Sequence, residues 1–197
     1  MTANLPALDL SSQTLCVFGG GNGWGKRIVE AAQGLGAKTI VIEKDATPAE
    51  TIAALEASSS IFIAIPDNAI SALLAEHAAR LQGKVVLDCA TNKSGFSAAL
   101  QQLADDGASI CSTHPMAASG GVLLGQNALI MPIGSNVTPA EQMAIQLYRR
   151  LGMHWEAFDF NKHTDLMVIV QMLPHVMQRL TIDVLAQGLL QQDVKID

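Results

Sequence analysis

Thr14-Leu15-Cys16-Val17-Phe18-Gly19-Gly20-Gly21-Asn22-Gly23-Trp24-Gly25 is the stretch that decides the fold. A short apolar and β-branched run enters a glycine cluster. From Trp24 to Leu35 the pattern then turns helical, with Ile28, Val29, Ala32 and Leu35 on one side. Glycines between a strand and a helix let the chain turn tightly and let a pyrophosphate approach the backbone. There the helix start offers free N–H groups and the positive end of its dipole. Two registers fit. G-x-G-x-x-G ending on Gly25 puts Asn22 at the second glycine, whereas G-x-x-x-G-x-G fits Gly19, Gly23 and Gly25.

Working outward, strands and helices alternate. Gly36 ends the first helix, and Thr39 to Ile42 reads as a buried strand. Thr47-Pro48-Ala49-Glu50 is a capping box with proline at the first helical position, opening a helix to about Ala57. Ile61 to Ile65 is an apolar run stopped by Pro66, and Asp67 or Asn68 caps a helix to Leu81. Val85 to Leu87, Ser109 to Ser112 and Ala128 to Ile133 are further strands, with a helix over Ser94 to Leu103 and a loop expected at His114. Thr138-Pro139-Ala140-Glu141 repeats the capping box before a helix to Leu151, and Trp155 to Phe158 is an edge strand. Residues 161 to about 191 read as one long helix containing Pro174. The expected fold is therefore α/β, a doubly wound, mostly parallel Rossmann sheet followed by a long C-terminal helix. Residues 1–159 form the dinucleotide-binding domain, and residues 160–197 a C-terminal helix for substrate or dimerisation.

Composition agrees. Nearly half of the 197 residues are hydrophobic but only 4% are aromatic, so the core must be built from Ala, Val, Ile, Leu and Met, the usual material of covered parallel sheets. A net charge of −6 gives no electrostatic reason to bind nucleic acid or an anionic membrane. Cys16, Cys89 and Cys111 show no metal-ligand spacing and are expected as reduced core residues of a cytoplasmic protein. Met1 to Leu10 lacks a basic segment followed by an apolar one, and no apolar stretch approaches membrane-spanning length.

In wound sheets, ligands sit beyond the carboxyl ends of the strands. The cofactor-binding candidates there are Gly19, Gly20, Gly21, Asn22, Gly23, Trp24 and Gly25, with Ile65 and Pro66 where the third strand stops. Glu43 ends the second strand about 20 residues on, where the dinucleotide fingerprint expects an acid for the ribose 2′-hydroxyl. A carboxylate there repels a 2′-phosphate, so NAD is expected rather than NADP, although Lys44 weakens the preference. The alternative is a tight turn beside a solvated strand-end charge.

Four segments resemble the prephenate dehydrogenases, oxidoreductases of tyrosine biosynthesis. They are the glycine loop Val17 to Arg27, the segment Leu87-Asp88-Cys89-Ala90-Thr91-Asn92-Lys93, the His-Pro-Met loop Thr113-His114-Pro115-Met116, and His163 through Gln171-Met172-Leu173-Pro174-His175. The resemblance implies oxidative decarboxylation of prephenate or a related cyclohexadienyl acid, with hydride passing to the nicotinamide. It implies that His114 accepts the hydrogen bond of the ring hydroxyl, that Thr91 stands where the family has an orienting serine, and that Lys93 lies near cofactor or loop backbone. It places His175, Gln171 and Lys93 among the substrate-binding residues. It also implies further helices bearing an arginine for the substrate carboxylate, whereas the basic residues after His175 are Arg179 and Lys195. The missing cation is then expected from a partner subunit.

Plainer readings stand beside these. His114 could be a loop histidine bonded to backbone, and Ala90-Thr91-Asn92 a turn capping the next helix. His163 could cap a helix start, and His175 could be buried beside Pro174 in a kinked helix. Met167, Met172 and Met177 read as apolar packing, Asp159 and Asp165 as solvated or capping charges, and His77 and His154 as surface residues. The apolar positions of the last helix cover more than one stripe, so a homodimer through it is expected. A different class of function, a dinucleotide-binding sensor or partner subunit without turnover, also fits. A short-chain dehydrogenase does not, because the single tyrosine, Tyr148, is followed by Arg149-Arg150-Leu151-Gly152 and lacks that family's Tyr-x-x-x-Lys pair.

Overall fold

A computed structural model of the chain describes residues 9–191, with side chains to residue 187. Lys195 lies outside the described residues. The chain divides into two compact units between Phe160 and Asn161.

The first unit is one seven-stranded sheet in the order β2-β1-β3-β4-β5-β6-β7. Its strands are β1 (Thr14–Phe18), β2 (Lys38–Ile42), β3 (Ser60–Ile63), β4 (Val85–Asp88), β5 (Ser109–Pro115), β6 (Asn127–Ile133) and β7 (His154–Ala157). The helices are α1 (Gly23–Gly34), α2 (Pro48–Ala57), α3 (Asp67–Leu81), α4 (Ser97–Asp105) and α5 (Thr138–Arg150). The pairs β1·β2, β1·β3, β3·β4 and β4·β5 are parallel; β6 runs antiparallel to β5, with His114 opposite Leu129. The wound, mostly parallel sheet expected from the alternation is the one observed.

Each inner strand is apolar on both faces because each face has its own core. Leu15, Val17, Phe62 and Leu87 bury against α1 and α5, while Cys16, Ile61, Ile63, Val86 and Ile110 bury against α2, α3 and α4. Strand alternation assigns neighbours to opposite cores.

Several local expectations change. At α2 both bonds of the capping box form: Glu50 N–H donates to Thr47 Oγ1 at 3.3 Å, and Thr47 N–H donates to Glu50 Oε2 at 2.7 Å. At α5 the same four letters form no box. Val137 is the N-cap, no side chain caps the helix locally, and the Ala140 amide instead donates to Ser109 Oγ of β5 at 3.1 Å. α4 begins at Ser97 rather than Ser94, because Asn92 Oδ1 accepts from the Ser94 amide and the chain turns once before the helix. β5 extends to Pro115, so His114 is a strand residue rather than a loop residue. His77 is buried on α3 rather than exposed.

The second unit is helical: α6 (His163–Met167), a π-turn (Val168–Met172) and α7 (Leu173–Gln191). The single long helix expected here carries this wide turn immediately before Pro174, which has no N–H to return to the preceding turn. His163 is the first residue of α6 and is buried; the N-cap is Lys162. Val168, Ile169, Met172, Val176, Leu180 and Val184 are exposed. Among the described residues, no helix is long and apolar enough to cross a membrane.

Candidate nucleotide cradle and active site

All the candidate residues of the first unit lie along the carboxyl edge of the sheet, where β1, β3, β4 and β5 end. Gly19 makes the turn out of β1 with φ +77°, and a Cβ there would come within 2.5 Å of the Ala64 carbonyl oxygen. Gly25 lies in the first turn of α1, where a Cβ would overlap the Gly19 carbonyl. The structure thus assigns roles rather than choosing a register: Gly19 for the turn, Gly25 for close helix–strand approach. The N-cap Asn22 makes no side-chain hydrogen bond to the first turn of α1, and that turn holds no acid, so its amides and dipole end are left for an anion.

Trp24 does not fill this cradle. Its ring turns inward, edge-on to Tyr148 at a centroid distance of 6.4 Å, so only its backbone is offered at the helix start. The Glu43 carboxylate accepts the Gly21 amide at 2.6 Å through Oε1, tying the strand-end acid to the glycine loop. A Cβ at Gly21 would come within 2.9 Å of that oxygen, so the glycine keeps this approach open. From here a groove of about 760 Å3 runs over Phe18, Gly19, Asn22, Glu43, Ile65, Pro66 and Leu73, bringing five of the ten cofactor candidates onto one surface. That volume lies within the range of small-ligand pockets. The bare glycine loop, open helix start and strand-end carboxylate fit a dinucleotide.

Next along the edge, Lys93 bonds the loop backbone, one of the two places the resemblance implies for it. It is 2% exposed, and its ammonium donates to Asp88 Oδ1 at 2.7 Å, Ala90 O at 2.6 Å and Thr113 O at 2.8 Å. An ammonium has three donors. All are spent on protein, so Lys93 clamps the 89–93 loop to β5 instead of reaching a substrate. Thr91 sits exposed on that clamped loop. His114 is buried at the end of β5, the adjoining strand. On the second unit, His175 and Gln171 are brought together: the His175 ring at Nδ1 lies 2.7 Å from the Gln171 carbonyl. His175 is exposed rather than buried beside Pro174.

The sequence reading missed three polar neighbours of this edge: Asp88, Thr113 and Tyr148. Thr113 Oγ1 donates to the Asp88 carbonyl at 2.5 Å and lies 2.7 Å from the Tyr148 hydroxyl. Tyr148 is fully buried, and burial holds its hydroxyl proton on well above the usual phenol range. The available signals were an aspartate closing an apolar strand five residues before a lysine, and a lone tyrosine on the apolar face of α5. Burial likewise pushes the Cys89 thiol up to about 12, removing it as a nucleophile.

Prephenate dehydrogenase, nucleotide-binding domain, is the family that matches residues 29–142, from within α1 to within α5 and more than half of the chain. The chain belongs to the prephenate dehydrogenase family. No curated protein matches it in sequence. Among solved structures it is similar to a putative prephenate dehydrogenase from Corynebacterium glutamicum (TM-score 0.72, 16% identity, covering 94% of this chain and 68% of that one). It is also similar to prephenate dehydrogenase from A. aeolicus in complex with hydroxyphenyl propionate and NAD+ (TM-score 0.67, 14% identity, 91% and 71%). A third is a semialdehyde dehydrogenase NAD-binding protein from Cupriavidus necator in complex with calcium and NAD (TM-score 0.69, 16% identity, 90% and 76%). At such identities these likenesses speak for the fold. Membership of the prephenate dehydrogenase family rests on the sequence match.

Proposed function

We propose that the chain is an NAD-dependent dehydrogenase that oxidatively decarboxylates prephenate or a related cyclohexadienyl acid, including one carrying an amine. The observation that carries this reading is the placement of His114 at the carboxyl edge of the sheet. It lies beside the clamped Thr91 loop and on the same edge as the glycine cradle. NAD is the nucleotide: Glu43 gives one oxygen to Gly21 and keeps lone pairs for a ribose 2′-hydroxyl, and its charge disfavours a 2′-phosphate.

When bound, NAD+ supplies a two-electron acceptor for hydride. His114 accepts the hydrogen bond of the substrate's ring hydroxyl and polarises it as the carbon beside it loses hydride; a neutral imidazole is suited to this near pH 7. The bond to the ring carboxylate then breaks, its electrons enter the ring, carbon dioxide leaves, and the oxygen ends as a phenol hydroxyl. The Thr91 hydroxyl orients His114 and the substrate hydroxyl.

The test is NADH formation at 340 nm from NAD+ with prephenate, arogenate and aminodeoxyprephenate. Turnover is expected with one of them, and His114→Asn lowers kcat by about 100-fold or more while NAD still binds. No absorbance rise with any substrate, with NAD binding intact, supports the second reading, a dinucleotide-binding sensor or partner subunit. One observation favours that reading: Arg179 of α7 is engaged by Asp183 Oδ2 at 3.2 Å rather than held for a substrate carboxylate.

A second copy of the chain is the proposed partner, covering the exposed apolar residues of the π-turn and α7. Sedimentation velocity at micromolar concentration is expected to show a dimer, and a monomer throughout removes this part of the proposal. The three thiols are free, which suits the reducing cytoplasm.

A further inference from the structure

We infer that Tyr148 and Thr113 are positioning residues that fix His114 relative to the Thr91 loop, an inference that rests on the reading of His114 as a substrate-contacting group. The geometry sets the direction of the hydrogen bonds. The Asp88 carbonyl can only accept, so the single hydrogen of Thr113 Oγ1 points to it. Tyr148 must then be the donor in its 2.7 Å contact with Thr113 Oγ1. Burial keeps the phenol protonated, as that role demands. The chain of bonds therefore runs one way, from Tyr148 on α5 to Thr113 on β5 to Asp88 at the end of β4.

Lys93 closes the frame from the other side by bonding both Asp88 Oδ1 and the Thr113 carbonyl. Thr113 is thus held through its hydroxyl and its carbonyl, and it is covalently next to His114. Ala90, held by Lys93 and by Asp88 Oδ1 through its amide, is covalently next to Thr91. Trp24, edge-on to the Tyr148 ring, joins the start of α1 to the same frame. None of these groups needs to touch the substrate; they set where two residues that do so stand.

The experiment compares Tyr148→Phe, Thr113→Val and Thr113→Ser. Three quantities are read on each variant: NAD affinity by calorimetry, the ring signals of His114 by NMR (assigned with His114→Asn), and kcat against KM with whichever acid turns over. Tyr148→Phe and Thr113→Val are expected to move the His114 ring signals and lower kcat by roughly 10- to 100-fold, leaving the NAD dissociation constant unchanged. Thr113→Ser keeps the hydroxyl and restores both. If the His114 signals stay fixed in every variant, or if Thr113→Ser is as perturbed as Thr113→Val, the inference is overturned. Should Tyr148→Phe fail to fold, the Thr113 pair alone decides. Absence of turnover in the unsubstituted protein sinks the dehydrogenase reading, whereas the NMR comparison still decides this one.

Discussion

Burying an ammonium is tolerated only when every proton finds an acceptor and the charge finds its opposite, and Lys93 meets both conditions. Asp88 Oδ2 is buried without a hydrogen-bond partner, so the carboxylate is held through Oδ1 alone, by the Lys93 ammonium and the Ala90 amide. Lys93→Met is accordingly expected to cost about 3–5 kcal/mol by urea unfolding, and adding Asp88→Leu should recover much of it. The thiols give a second prediction at this scale. Burial lifts Cys16 and Cys89 to about 12, whereas in the unfolded chain thiols ionise from about 8.5. The unfolded state then holds fewer protons, so their contribution is complete below that value and declines as pH rises towards 12. A thiol reagent at pH 8 should label the native protein far more slowly than the unfolded one, and rapid native labelling refutes the burial. The glycine loop was legible in sequence because a strand–glycine–helix pattern is local, and Glu43 because it closes the next apolar strand, although the bond joining the two across 22 residues was not. The destination of Lys93 was not, since it depends on how a loop folds back onto a strand twenty residues later.

Two identical tetrapeptides show what a sequence motif does and does not fix at the level of an element. Thr47-Pro48-Ala49-Glu50 caps α2 with its own side chains. Thr138-Pro139-Ala140-Glu141 starts α5 one residue earlier: the Glu141 amide, counterpart of the one Thr47 caps, donates to the Val137 carbonyl, and Ser109 Oγ takes the Ala140 amide. Thr47→Ala should therefore lower stability by about 1 kcal/mol. Thr138→Ala should be almost silent, and Ser109→Ala should cost about 1 kcal/mol. Equal effects of the two threonine substitutions in thermal melts would contradict this assignment. Strand identity was readable from apolar runs, but the reversed direction of β6 was not, since an apolar run carries no sign of its polarity. The π-turn before Pro174 was equally hidden: proline announces a missing bond, not the way the helix absorbs it.

At the scale of the whole molecule, a sheet with a separate core on each face offers the nucleotide a rigid edge between them. A ligand that binds only the folded chain stabilises it, so NAD at 100 times its dissociation constant should add about 2.7 kcal/mol, or roughly 5–10 °C in Tm. Gly25→Ala, which would thrust a methyl group into the Gly19 carbonyl, should abolish that shift. The bond from Ser109 to Ala140 has a further result. Its two ends are 31 residues apart in the chain, so this amide is shielded only while strand and helix are docked together. In deuterium exchange, the amide of Glu50, protected by a neighbour three residues away, should trade its proton through brief fraying. That of Ala140 should wait for the opening of the entire first unit, marking its cooperativity from a single backbone position.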